Sequence, residues 1–191
     1  MTDFTPRLTP CSPLPAGSAT LAGVTIAERT GLAITMLIAR RGRESSLARW
    51  MRDSFGLDLP SAPRRAHAGR LAVLAIAPGS WLVICEDAGD GQTARWRGAL
   101  GPSASVADKS DAFTVLRLRG VGVREALAKQ VPLDLHPSAF RVDDVASTRA
   151  GHMALMLWRL EDDGDGAPVF EIAAQRSYAA SLWQALVEDQ A

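Results

Sequence analysis

The apolar residues of this chain come in short runs that switch between two periods, and that switching limits the possible folds more than any other feature. Leu32 to Ala39 is a dense strand candidate. After Arg40 to Arg43, the residues Leu47, Trp50, Met51 and Phe55 recur at helical spacing and stop at Gly56. Pro60 to Gly69 reads as a positively charged loop, and Leu71 to Ala77 and Trp81 to Cys85 read as strands that turn at Pro78 and Gly79. A glycine-containing acidic loop near Asp87 to Gly91 leads into a helix around Thr93 to Ala99, and Pro102 restarts the chain.

The second half echoes the first. Phe113 to Arg119 is strand-like, with Leu116 and Leu118 alternating against Arg117 and Arg119, and Val123, Leu127 and Val131 then recur every four residues. Ala154 to Leu160 and Val169 to Ala173 read as an antiparallel pair across the polar turn Asp162 to Gly166. Tyr178, Leu182 and Leu186 mark a final amphipathic helix behind a Ser177 N-cap. The reading is an α+β fold of two pseudo-repeated β-α-β-β-α layers, with no residue-level repeat behind it. Residues 1–20, with Pro6, Pro10, Pro13 and Pro15, read as an extended arm, and residues 21–191 as one domain.

Composition excludes several classes. Twenty-one basic residues stand against 21 acidic ones, so there is no global pull toward nucleic acid or anionic membrane. Cys11 and Cys85 form neither a disulfide framework nor paired metal-ligand spacing, which fits a cytoplasmic protein. The proline-rich start lacks the unbroken apolar stretch of a signal peptide, and runs such as Met153 to Trp158 are far shorter than the roughly 20 residues of a membrane helix.

Few residues converge on chemistry. Gly120-Val-Gly122-Val-Arg-Glu125, with Asp143 and Asp144 about 20 residues on, imitates a dinucleotide fingerprint but lacks its third glycine, so a plain strand-to-helix turn is the better reading. Asp108, Ser110 and Asp111 form the densest polar cluster beside predicted core. An aspartate there can act as a base or orient an amine, and Asp and Ser equally cap turns, which is the favoured reading. His67, His136 and His152 are too far apart for a local zinc motif. No Gly-x-Ser-x-Gly elbow or activated cysteine is present. Arg40, Arg41, Arg43, Arg64, Arg65 and Arg70 form either a solvated face or a surface for an acidic partner or phosphate. Trp50, Trp81, Trp96, Trp158 and Trp183 suit either a core or an interface.

An ordered set of segments resembles the sarcosine oxidase gamma subunit family from about Leu71 to Trp183. Its members are Ala77-Pro-Gly-Ser-Trp-Leu-Val83, Val106-Ala-Asp-Lys-Ser-Asp111, Leu118-Arg-Gly120, Ala126-Leu-Ala-Lys129, Pro132-Leu-Asp-Leu-His136, Ala139-Phe140 and Arg176-Ser-Tyr-Ala-Ala-Ser-Leu-Trp183. The Asp108-x-Ser110 turn, with Leu116, Gly120 and Ala126-Leu127, also resembles the folate-binding part of the glycine-cleavage T-protein superfamily, which implies fold more than activity.

The family resemblance implies a non-catalytic assembly subunit of a heterotetramer that demethylates sarcosine oxidatively to glycine. Its partners would be alpha, beta and delta subunits, which would carry the FAD, FMN, NAD, zinc and tetrahydrofolate. This chain would then hold no catalytic, cofactor or metal residues of its own, and Asp134 and His136 would be structural. Two alternatives are a gamma-like subunit of a related N-methyl amino acid oxidase or dehydrogenase, and a stand-alone folate-binding or aminomethyl-transfer protein led by Asp108. A nucleic-acid module would need the arginines on one face and is opposed by the neutral charge. As a subunit, the isolated chain is expected to expose an apolar patch.

Overall fold

A computed structural model of the chain describes residue 14 and residues 18–21, 23–87 and 91–188. Cys11, most of the stretch read as an arm, and residues 88–90 of the acidic loop lie outside the described residues. A hairpin of β1 (Ser18–Leu21) and β2 (Val24–Arg29) precedes two successive units. The first contains β3 (Leu32–Ala39), α1 (Glu44–Phe55), β4 (Arg65–Ala68), β5 (Leu71–Ala77), β6 (Ser80–Glu86), α2 (Gln92–Leu100) and β7 (Ala104–Asp108). The second contains β8 (Phe113–Arg119), α3 (Val123–Ala128), β9 (Val145–Ala150), β10 (Met153–Arg159), β11 (Val169–Gln175) and α4 (Ala179–Glu188).

The strands form two antiparallel sheets, ordered β4-β5-β6-β3-β7 and β9-β10-β11-β8-β2-β1. In both, the three strands after the first helix lie side by side in sequence order, and the strand before that helix comes fourth. The fifth place goes to β7 in one sheet and to β2, from the N-terminal hairpin, in the other. The duplication is therefore a property of topology, and β4 and β7 of the first unit and β9 of the second lie beyond the strands legible in the sequence.

Three apolar clusters define four layers. Leu47 and Met51 of α1 and Trp96 and Leu100 of α2 pack on the outer face of the first sheet, with Leu37, Val73 and Val83. Val123 and Leu127 of α3 and Leu182 and Leu186 of α4 pack on the outer face of the second, with Leu116, Leu118 and Ile172. Between the sheets lie Ile34, Leu74, Leu82 and Ile84 from one side and Val115, Met156, Trp158 and Ala173 from the other. Both faces of the central strands are buried, so they read as nearly continuous apolar runs instead of clean alternation.

Helix α1 ends where the pattern predicts. Gly56 adopts φ 64°, and its N–H donates to the Arg52 carbonyl at 2.8 Å, the left-handed cap that glycine accepts without a Cβ penalty. The last helix differs from expectation. Arg176–Tyr178 forms a 3₁₀ turn and α4 starts at Ala179, so Ser177 lies inside the turn and caps nothing. The entry is fixed instead by Arg176, whose backbone N–H donates to the Ala112 carbonyl at 2.9 Å.

Candidate functional site

The turn from β7 into β8 is built by its own polar side chains. Asp108 Oδ1 accepts the Ser110 N–H at 3.0 Å and the Ser110 hydroxyl at 2.7 Å, and Ser110 Oγ accepts the Ile34 N–H at 3.0 Å. Burial acts to raise the Asp108 carboxyl, but the two Ser110 bonds, helped by Thr93 and Arg97, outweigh it and hold the group below its ordinary value. A carboxylate kept ionised by its own turn makes a poor proton acceptor. Arg176 closes the same turn from the far end of the chain: Nε donates to the Asp111 carbonyl and Nη2 to the Phe113 carbonyl, both at 2.9 Å. Two segments 65 residues apart in sequence are thus one structural unit.

Asp134 and His136 make a second local turn. Asp134 Oδ1 accepts the His136 N–H at 2.9 Å, and His136 Nδ1 lies 2.7 Å from Ser138 Oγ. Asp134 and His136 are exposed while Leu135 between them is buried, and the Leu135 carbonyl accepts from Arg124 Nε at 3.2 Å. The segment anchors a loop against the α3 layer.

The glycine pair after β8 has a packing role. Gly120 adopts φ 131°, and a Cβ there would stand 1.9 Å from the Gly23 carbonyl oxygen, so the residue is glycine because β2 and its turn approach so closely. The helix that follows has six residues. This turn does not fit a phosphate. Asp143 and Asp144 serve elsewhere: Arg65 Nη1 donates to Asp143 Oδ1 at 2.6 Å, and Arg64 Nη1 to Asp144 Oδ1. With Arg65 N–H to the Asp143 carbonyl at 2.7 Å and Val145 N–H to the Pro63 carbonyl at 2.9 Å, these pairs fasten the β4 edge of one sheet to the β9 edge of the other.

The arginines therefore divide. Arg64 and Arg65 are engaged in this seam, and Arg70 pairs with Asp87 at 3.0 Å on the surface. The three histidines stay apart, and among the described residues no group of three or more His, Cys, Asp or Glu could hold a metal. His152 meets the Tyr178 ring edge-on instead. Trp158 is wholly buried between the sheets, and Trp81 donates its indole N–H to the Pro60 carbonyl at 2.8 Å. Trp50 and Trp96 share an aromatic cluster with Phe55.

The densest buried charge is one that the sequence reading missed. Glu171 on β11 is 6% exposed and faces the other sheet. It accepts from Arg29 Nη1 at 2.6 Å, Arg117 Nε at 2.8 Å and Trp158 Nε1 at 2.9 Å. Arg29 also donates to Glu86 of the first sheet at 2.6 Å and so bridges the layers. Burial acts to lower the Arg29 pKa, but the two carboxylates raise it overall, and Arg29 in turn pulls the Glu86 carboxyl down. The cavity at this network is about 40 Å³, against the ~300 Å³ at which small-molecule sites begin. Every charged group of the network is already paired, so the arrangement locks the layers together. A carboxylate inside the apolar run Val169 to Ala173 was the available signal.

Residues 41–191 match the sarcosine oxidase gamma subunit family along their whole length. The chain belongs to that family. Among its relatives, the sarcosine oxidase subunit gamma of an Arthrobacter species is 36% identical over 89 residues, and that of Corynebacterium sp. (strain P-1) is 35% identical over 89 residues. Each match spans 46% of this chain and 43% of the relative, so it extends over less than half the length of these curated relatives. Among solved structures, the chain is similar to one in the heterotetrameric sarcosine oxidase from Corynebacterium sp. U-96 in complex with pyrrole 2-carboxylate. The TM-score is 0.74 at 27% identity, covering 91% of this chain and 88% of that one. It also shares a fold with glycine cleavage system aminomethyltransferase T from Bartonella henselae, with a TM-score of 0.59 at 14% identity over 89% of this chain and 47% of that one. Both resemblances read from the sequence, gamma-subunit family and T-protein-like fold, are therefore found.

Proposed function

We propose that this gamma-family chain is an assembly subunit of a heterotetrameric sarcosine oxidase, in which it contributes surface and no chemistry. The likeness over 91% of the chain to a chain of a heterotetrameric sarcosine oxidase carries the reading. The candidate polar residues support it: Asp108, Ser110, Asp134, Asp143, Asp144 and Glu171 each take part in hydrogen bonds within the chain. Alpha, beta and delta chains are the proposed partners, and FAD, FMN, NAD, zinc and tetrahydrofolate are assigned to them. Sarcosine is the proposed substrate of the assembled enzyme, which demethylates it oxidatively to glycine while electrons pass through the partner flavins. A cytoplasmic setting is part of the same reading, and no helix among the described residues is long and apolar enough to cross a membrane.

The test is co-expression of the alpha, beta and delta chains with and without this chain. The reading expects the four-chain preparation to form one flavin-containing particle that oxidises sarcosine. It expects the three-chain preparation to fall apart or aggregate, while Asp108→Asn and His136→Ala in this chain leave turnover per flavin unchanged. Loss of turnover with assembly intact in either variant would give this chain a catalytic part and favour the aminomethyl-transfer alternative.

A further inference from the structure

The net charge of zero hides a separation. The α1 and α2 layer with its flanking turns, residues 40–58 and 91–101, holds seven arginines against three carboxylates, a local +4 that the rest of the chain balances with −4. Arg52 of this layer is paired with Asp58, and Arg97 Nε donates to the Val106 carbonyl. The remaining five, Arg40, Arg41, Arg43, Arg49 and Arg95, have no carboxylate partner among the described residues, and all five are exposed. The Trp50 ring lies 5.5 Å from Trp96 and 5.4 Å from Phe55, which clamps α1 beside α2. Leu47 and Met51 point inward from α1, and Trp96 and Leu100 from α2. Arg49 and Arg95 then fall on the opposite, outward faces, with Arg40 to Arg43 at the turn that enters α1.

Apolar recognition has little to work with here. The large apolar side chains exposed among the described residues are Ile38 and Val121, which differs from the broad apolar patch expected of an isolated subunit. Unpaired arginines beside half-buried Trp50 and Phe55 have instead the composition of an interface hot spot, while a stretch with so little acid cannot serve an equally basic partner.

We propose that the outward face of α1 and α2 docks an acidic protein surface of a partner subunit, with Arg43, Arg49 and Arg95 as its main contacts and the Trp50–Phe55–Trp96 cluster as its rigid floor. This rests on the subunit reading above, and it commits that reading to one face and one charge sign.

The test uses the assembled complex. Arg49→Lys and Arg95→Lys put primary amines on the face, and a carbodiimide then joins amines to touching carboxylates without a spacer. Linkage of positions 49 and 95 to Asp or Glu of the alpha, beta or delta chain is the expected result. In parallel, Arg43→Glu, Arg49→Glu and Arg95→Glu combined should lower recovery of those chains by at least about tenfold, with circular dichroism unchanged, while Glu161→Lys in the β10–β11 turn leaves recovery intact. Full recovery of partners by the triple variant would overturn the docking face and leave the subunit reading standing. Absence of those chains from the wild-type preparation would overturn both. Retained material that nuclease releases would overturn the acidic-protein partner in favour of nucleic acid.

Discussion

Trp158 donates its indole N–H to Glu171 Oε2 at 2.9 Å, and the two residues face each other in register on the adjacent strands β10 and β11. The bond gives a fully buried tryptophan its polar partner and fixes one carboxylate oxygen, leaving the other for Arg29 and Arg117. Removing the carboxylate with Glu171→Leu leaves Arg117 without its carboxylate and Arg29 with Glu86 alone at the interface between sheets. The expected cost is roughly 3 kcal/mol, because a charge left buried without its partner is worse than the pair was good. Chemical denaturation of the single variant and of the Arg29→Met, Glu171→Leu double variant checks this. The double should recover part of the loss.

Backbone approach sets a second expectation. Gly120→Ala places a methyl group 1.9 Å from the Gly23 oxygen in a conformation that L-residues avoid, so it should cost about 3 kcal/mol or more. Gly98→Ala, on the exposed side of α2 with nothing within 4 Å of the new Cβ, should stabilise by about 0.5–1 kcal/mol. Thermal unfolding of the two variants should therefore shift in opposite directions.

Acid should weaken the fold through two named carboxyls. Glu86, held by Arg29, and Asp108, held by Ser110 against the opposing effect of burial, both have lowered values in the folded chain. The unfolded chain binds protons first as pH falls, so stability rises with pH there. Their contribution is complete above the ordinary carboxylate range near pH ~4 and is lost as pH drops through the lowered folded values. Glu86→Gln and Asp108→Asn should each flatten the acid limb of a stability-against-pH curve and leave the slope near neutrality unchanged.

The Ser110 hub is worth testing alone. Ser110→Ala removes the acceptor for Ile34 N–H and one donor to Asp108, with an expected loss of about 1–2 kcal/mol. Arg176→Met, which frees the carbonyls of Asp111 and Phe113, should raise amide exchange through residues 110–113 ahead of the sheets.

What the sequence made legible follows from burial. Leu32–Ala39, Leu71–Ala77 and Phe113–Arg119 were found with their bounds intact, because interior strands covered on both faces carry dense apolar runs. The missed strands are mostly edges. Arg65–Ala68, Ala104–Asp108 and Val145–Ala150 each have a single neighbour, and their polar alternation resembles a loop. Val24–Arg29 was missed for another reason: it lies inside the second sheet, though most of that sheet comes from the far half of the chain. The turn bonds suggested for Asp108 are present, since such bonds are local. The Glu171 network was invisible because Arg29 meets Glu171 from 142 residues away, and no periodicity records that distance. The Asp143 and Asp144 pair likewise acquired its role only when two sheet edges met.

The most direct measurement is to tag the chain at its C-terminus in its native cells, purify it at moderate salt, identify its partners by mass spectrometry and record an absorbance spectrum. The assembly account predicts yellow, flavin-bearing material containing two larger chains and one smaller one. A colourless, partner-free protein that binds folate by itself would contradict it.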